Sequence, residues 1–219
     1  MPSSRVPTLD ALFGLLPDSE RRCMKLDGEV VTVGRRTVSI ADCLTPERKT
    51  ELACSVDSER FILSGWSALW AAGLCCEPSR HEVVLRPGKR PRRHTEDELV
   101  VHDLALRDGD LVDYGAPGAR MHPIRAVCDV LRFDETNDHI LIQLVMPILN
   151  ELNVTTERVR NAIATEKTLP YRKRAIRRLA LIDAINVIDA VNTTHGVENS
   201  FEMARISGLE HKSAEGQTL

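Results

Sequence analysis

The sequence predicts an α+β fold: a small mixed sheet packed with helices, a helical C-terminal half, and a short N-terminal β-ribbon. Three observations carry this expectation. Short alternating apolar runs bounded by Gly, Pro and Asp fill the chain up to about residue 118. From residue 122 onward, apolar residues recur at helical spacing. The composition, 42% hydrophobic and 28% charged over 219 residues, is that of a globular chain long enough to bury a core, and no apolar run approaches a membrane span. The start, MPSSRVPTLDALFGLL, lacks the apolar centre and small-residue cleavage site of a signal peptide, so a soluble cytoplasmic protein is expected.

In chain order, Thr8 to Leu16 suits one short helix ended by Pro17. RCMKLDGEVVTVGRRTVSIAD reads as β-structure, with Asp27-Gly28 as a hairpin turn and a second reversal near Gly34. This ribbon resembles the wing of a winged helix from which the preceding helices are nearly absent. Residues 1–57 therefore read as a reduced winged-helix-like module, ending in TPERKTELACSVDSE as a short helix and connector. A larger unit, 58–191, begins with a strand at Arg60 to Leu63, followed by a helix capped by Ser64 and closed by Gly73. Strands follow at HEVVLRP, at Leu99 to His102 and at Asp110 to Tyr114, then a turn, YGAPGA. Helices are expected from His122, from Asp138 to Leu152 with a break or kink at Pro147, from Thr155 to Thr165, and from Arg172 to about Val191. The polar stretch 192–219 reads as a flexible tail.

The helix HPIRAVCDVLRF takes Pro123 at its first position, and Ile124, Val127, Cys128 and Leu131 form a buried stripe. Arg125, Asp129 and Arg132 then fall on the opposite side, where periodicity favours a surface ion pair; the sharper reading puts Arg125 in a buried network or on a partner's phosphate. Trp66 and Trp70 share a helix face, either as core anchors or as a base-stacking platform.

The net charge of −3 argues against a globally basic nucleic-acid binder, yet two basic clusters stand out. RPGKRPRRH carries Arg86, Lys89, Arg90, Arg92 and Arg93 in a Pro-rich loop suited to phosphate contacts, if it is not merely solvated. YRKRAIRR carries Arg172, Lys173, Arg174, Arg177 and Arg178 at a helix start, where cations oppose the macrodipole; Ile176, Leu179, Ala180 and Ile182 make its buried side. That conflict implies a demand from nucleic acid or an acidic partner, or pairing with acids elsewhere in the fold. Six cysteines without CxxC spacing read as small hydrophobes in a reducing compartment. There is no HExxH, GxSxG or phosphate-loop motif, so no catalytic residue, cofactor or metal is expected. His81-Glu82 and His102-Asp103 border neighbouring strands, but adjacent strand residues face opposite sides, which disfavours a shared metal site.

Over about residues 58–185 the chain resembles the AbiEi family of bacterial type IV toxin–antitoxin systems, particularly its actinobacterial branch. The resemblance rests on FILSGWSALWAAGL, on HEVVLRPGKRPRRH followed by LVVHDLALRDGDLVDYGAPGARMHPIRAVCDVLR, and on the helical C-terminal half. Ser64, Ser67, Ala68 and Gly73 match the family's serine-rich helix, and Arg125, Asp129 and Arg132 its arginine–aspartate helix, as structural signatures. His122 stands where the family has threonine, Ala126 replaces the threonine after the arginine, and the winged helix is curtailed. The resemblance implies a non-enzymatic antitoxin or transcriptional regulator that binds its own promoter DNA and counteracts a nucleotidyltransferase toxin. Two alternatives stand beside it: a protein-interaction module that has lost DNA binding, and a metal-dependent nuclease using Glu82, Asp103 and Asp129.

Overall fold

The computed structural model describes residues 13–33, 36–40, 45–53, 60–89, 99–107, 109–113, 118–165, 170–190 and 192. The fold is α+β, as the sequence predicts. After a helical turn at 13–15 come α1 (Asp18–Leu26), the antiparallel pair β1 (Val30–Val33) and β2 (Arg36–Ser39), and α2 (Pro46–Ala53). Then follow β3 (Phe61–Leu63), α3 (Gly65–Ala71), β4 (His81–Leu85), β5 (Leu99–His102), β6 (Leu111–Asp113) and β7 (Ala119–Met121). Four helices follow among the described residues: α4 (Pro123–Phe133), α5 (Asp138–Glu151), α6 (Thr156–Ala164) and α7 (172–190).

The stretch read as the first arm of a ribbon is the helix α1. Asp27-Gly28 is not a hairpin turn: Gly28, at φ +71°, follows the helix cap, Glu29 N–H donates to the Met24 carbonyl, and Gly28 N–H to that of Lys25. These are the paired hydrogen bonds of a glycine-terminated helix, and the same left-handed glycine serves both uses. The hairpin reverses instead at the second predicted site, between Val33 and Arg36. Helix α2 contributes Leu52 and Ala53 to the same core cluster as the larger unit, while the boundary placed at residue 57 and, apart from the helical Asn192, the tail 192–219 lie outside the described residues.

The main sheet runs β5-β4-β3-β7-β6. β4 pairs antiparallel with β3 but parallel with β5, and β3 pairs parallel with β7, which pairs antiparallel with β6. Strand β7, which the sequence reading does not include, follows the turn predicted at YGAPGA, most of which lies outside the described residues. Its three residues, Ala119, Arg120 and Met121, are all buried next to the equally buried β3, so both faces of the sheet's centre are covered. Gly73 ends α3 as predicted, at φ +82°, with Leu74 N–H donating to the Leu69 carbonyl. α5 runs through Pro147 without a break: Pro147 and Gln143, whose carbonyl loses its donor, both face solvent. Thr155 caps α6, its hydroxyl accepting from Arg158 N–H at 3.3 Å. Among the described residues no helix is long and apolar enough to cross a membrane.

Candidate functional site

Helix α4 is buried along most of its length. Pro123 takes its first position, and His122 accepts from Ile124 N–H at 3.4 Å. Every residue from Arg125 to Arg132 is buried, more than two turns, so no face of this stretch looks to solvent. The predicted surface ion pair is therefore a buried network, and Ile124, expected in the core stripe, is only half-buried. Asp129 accepts from Arg125 Nε at 3.2 Å and from Arg132 Nη1 at 2.9 Å. Arg125 also reaches Asp110 at 3.3 Å, and Arg132 donates to the Pro170 carbonyl at 3.0 Å while lying 4.5 Å from the Phe133 ring centre. Neither Asp110 nor Pro170 is near this helix in sequence, which is why periodicity alone misses the network.

A cavity of about 220 Å³ opens beside these groups, lined by Arg107, Asp110, His122, Arg125, Arg132 and Thr165 among others. Gly109, at φ +88°, lets the chain turn so that Asp110 accepts from Arg107 N–H at 3.0 Å while facing Arg125. Burial, with Arg120 and Arg158 nearby, holds the His122 imidazole below its usual pKa; Asp110 opposes this.

The two basic clusters fare differently. In the loop, Arg86 is half-buried and Lys89 exposed, with Lys89 N–H closing a turn onto the Arg86 carbonyl; Arg90, Arg92 and Arg93 lie outside the described residues. In α7 the cations conflicting with the helix dipole are largely spent inside the fold. Arg178, offered as a nucleic-acid contact, is 2% exposed and donates to Asp138, to the Leu131 carbonyl at 3.0 Å and to that of Thr136 at 3.3 Å. Arg174 donates to the Arg132 carbonyl and sits over the Tyr171 ring, and Arg177 pairs with Asp138 at 2.6 Å. Leu131 and Arg132 end α4, so the demand on Arg174 and Arg178 comes from carbonyls that have no partner within that helix. Arg172 is half-buried and Lys173 exposed. Ala175, not Ala180, completes the buried side with Leu179 and Ile182.

The serine-rich helix α3 is structural in its contacts. Ser64 occupies the cap position, but its hydroxyl makes no capping bond and has no hydrogen-bond partner; its N–H donates to the Glu82 carbonyl at 3.0 Å. Ser67, Ala68 and Gly73 are respectively buried, buried and exposed. The Ser67 hydroxyl accepts from Glu82 N–H at 2.8 Å and lies 3.2 Å from His81 Nδ1, whose other nitrogen is 3.3 Å from Glu77. This hydroxyl–imidazole–carboxylate series has the members of a catalytic triad. Ser67 is wholly enclosed, however, and the Trp70 ring lies tilted against His81 at 5.2 Å, so the series clamps α3 to β4. Trp70 is thus core, while Trp66, half-buried, donates to Asp134 at 2.6 Å.

On the opposite side of β4, Glu82 meets His102 at 3.5 Å, as strand alternation requires. Glu82 and Asp129 line one cavity of about 390 Å³ with Trp66, His102, Phe133 and Asp134, whereas Asp103 is exposed and outside its lining. Among the described residues no three His, Cys, Asp or Glu side chains are grouped to hold a metal ion. Burial, helped by Cys76 and Glu82 and opposed by Lys49, pushes the Cys75 thiol up to about 11, so it stays protonated at neutral pH. The functional groups that sequence reasoning missed are Asp110, Asp138 and Arg107, brought in from loops and a helix start without any local motif. A scan against protein-family models finds none that matches the chain, and a search of curated proteins finds none that matches it.

Proposed function

We propose that the chain is a non-enzymatic, nucleic-acid-binding regulator, an antitoxin and/or transcriptional regulator of a toxin–antitoxin operon as the AbiEi resemblance implies, working in the cytoplasm. The observation supporting this most strongly is the parallel pairing of β4 with β5, the edge strand. The connection bearing Arg86, Lys89, Arg90, Arg92 and Arg93 leaves the far end of β4 and re-enters at the near end of β5. Its two ends are therefore about a strand length apart, ~13 Å at 3.3 Å per residue. Five cations fall within the sequence that joins those ends, a composition that suits a polyanion's backbone. Arg172 and Lys173 stay candidates for such contacts, whereas Arg174, Arg177 and Arg178 serve the fold. The enclosure of Ser67 supports a non-catalytic role.

The test is a gel shift with a duplex from upstream of the chain's own coding region. Wild type binds, and Arg92→Glu with Arg93→Glu weakens binding; equal binding across salt concentrations removes the loop from the account. A second reading, a protein-interaction module, is favoured by the exposed apolar residues Ile140 and Leu144 on α5 and Leu181, Val187 and Ile188 on α7. Co-purification with a neighbouring gene's nucleotidyltransferase product, without retention on heparin, supports that reading over DNA binding.

A further inference from the structure

The cavity that holds Glu82 and His102, about 390 Å³, lies where β4 and β5 meet the start of α3 and the end of α4. Its volume falls within the ~300–1,000 Å³ of small-molecule pockets. Four carboxylates line it, Glu82, Asp129, Asp134 and Glu135, and no Lys or Arg does. Asp129 is held by Arg125 and Arg132. The other three are matched by no Lys or Arg among the described residues. Glu82 has the His102 imidazole at 3.5 Å, with both side chains 22% exposed. Asp134 accepts from the Trp66 indole at 2.6 Å and from Thr136 N–H at 2.7 Å, and Glu135, exposed, makes neither a hydrogen bond nor an ion pair. Like charges gathered around a partly dry space repel, and a cation placed among them relieves that repulsion.

Aromatic rings stand among these acids. Trp66, tied to Asp134, and His102 both line the cavity, and His102 stacks on Phe133 at 5.4 Å. Phe133 is in turn held by the Arg132 guanidinium at 4.5 Å and by the Tyr171 ring at 5.7 Å, so the ring wall is fixed before any ligand arrives. Carboxylate acceptors beside aromatic rings are the set that recognises an organic ammonium ion. A bare metal ion suits the site less, because among the described residues no three His, Cys, Asp or Glu side chains are grouped to hold one. We propose that this cavity binds a small organic amine in its ammonium form, with Glu82, Asp134 and Glu135 accepting its N–H groups and Trp66 flanking its carbon chain. The site stands apart from any nucleic-acid contact, since every cation assigned to such contacts is absent from its lining.

The experiment titrates the full chain with 1,4-diaminobutane at neutral pH and constant ionic strength, reading tryptophan fluorescence, with magnesium chloride in a parallel series. Trp66 lines the cavity and Trp70 is in the core, so the expected result is a saturable change in emission that Trp66→Phe abolishes. In Glu82→Gln the half-saturation concentration rises about tenfold, the loss of one charge-assisted hydrogen bond. In Glu135→Gln, at an exposed position, it rises about two- to fivefold. Glu157→Gln, exposed on α6 and outside the lining, leaves it unchanged. No saturable change in wild type overturns the site, as does one that survives in Trp66→Phe. Half-saturation by magnesium at the same concentration as the diamine shows screening of an acidic patch and also overturns it. Should Glu82→Gln fail to fold, Glu135→Gln decides: a weakened curve supports the site, and a curve equal to that of Glu157→Gln overturns it.

Discussion

Replacing Asp129 with Asn tests whether the buried arginine–aspartate network holds the fold. The carboxylate is 3% exposed and is the acceptor for two guanidinium groups, at 3.2 Å and 2.9 Å. Asn keeps one neutral oxygen for the pair and turns an NH₂ toward the other, so the two buried guanidinium groups lose the carboxylate charge they share. Removing one partner of a buried ion pair costs about 3–5 kcal/mol. Against a typical stability of about 5–15 kcal/mol, that is a large fraction, and it lowers Tm by about 6–20 °C for a chain of this size. Urea unfolding followed by circular dichroism at pH 7 reads the difference. Arg177→Gln is the internal control: its side chain is 66% exposed, and breaking its pair with Asp138 costs at most about 1 kcal/mol. An Asp129→Asn variant within 1 kcal/mol of wild type, or a control that costs as much, refutes the argument that burial makes this network matter.

Three further outcomes follow from the geometry. The hydrogen bond from Arg178, with its charge, outweighs partial burial and holds the Asp138 carboxyl below its usual range; a lowered folded pKa gives stability that is full above the unfolded value of about 3.9 and is lost as pH falls through the folded one. The gap in urea midpoint between wild type and Asp138→Asn should thus be constant near pH 6 and shrink below about pH 4; a gap that grows on acidification contradicts the pairing. Gly65 sits at φ +49° with the Glu82 carboxylate where a Cβ would stand, so Gly65→Ala combines about 1–2 kcal/mol of backbone strain with a clash. Thermal unfolding should show the clash part recovered in Gly65→Ala with Glu82→Ala, and equal losses in both backgrounds speak against the contact. Ser67→Ala strands the Glu82 N–H inside the protein and should cost about 1–3 kcal/mol in urea unfolding; a loss below 0.5 kcal/mol argues against the clamp.

Where local chemistry decided the structure, the sequence was readable. The Gly73 terminus, the Thr155 cap, the helical C-terminal half and the reversal near Gly34 each depend on a few neighbouring residues. Asp27-Gly28 misled because a left-handed glycine closes a helix as readily as it turns a hairpin. Strand β7 was invisible because three residues with a central arginine show no alternation, and only pairing with β3 and β6 makes them a strand. The polar side of α4 looked like surface because the groups that neutralise it, Asp110 and Pro170, lie far off in sequence. The cations of α7 looked surplus for the same reason: their acceptors are Asp138 and the closing carbonyls of α4.

The most direct test of the central claim is the salt dependence of duplex binding by the full chain. Each phosphate neutralised adds about −0.9 to the slope of log K against log salt. Arg86, Lys89, Arg90, Arg92, Arg93, Arg172 and Lys173 together set a limit of about −6, and losing Arg92 and Arg93 flattens the slope by about 1.8. A steep wild-type slope that flattens by that amount in Arg92→Glu with Arg93→Glu is the predicted result. Absence of binding by wild type at 50 mM salt, or a slope the two substitutions leave untouched, contradicts it.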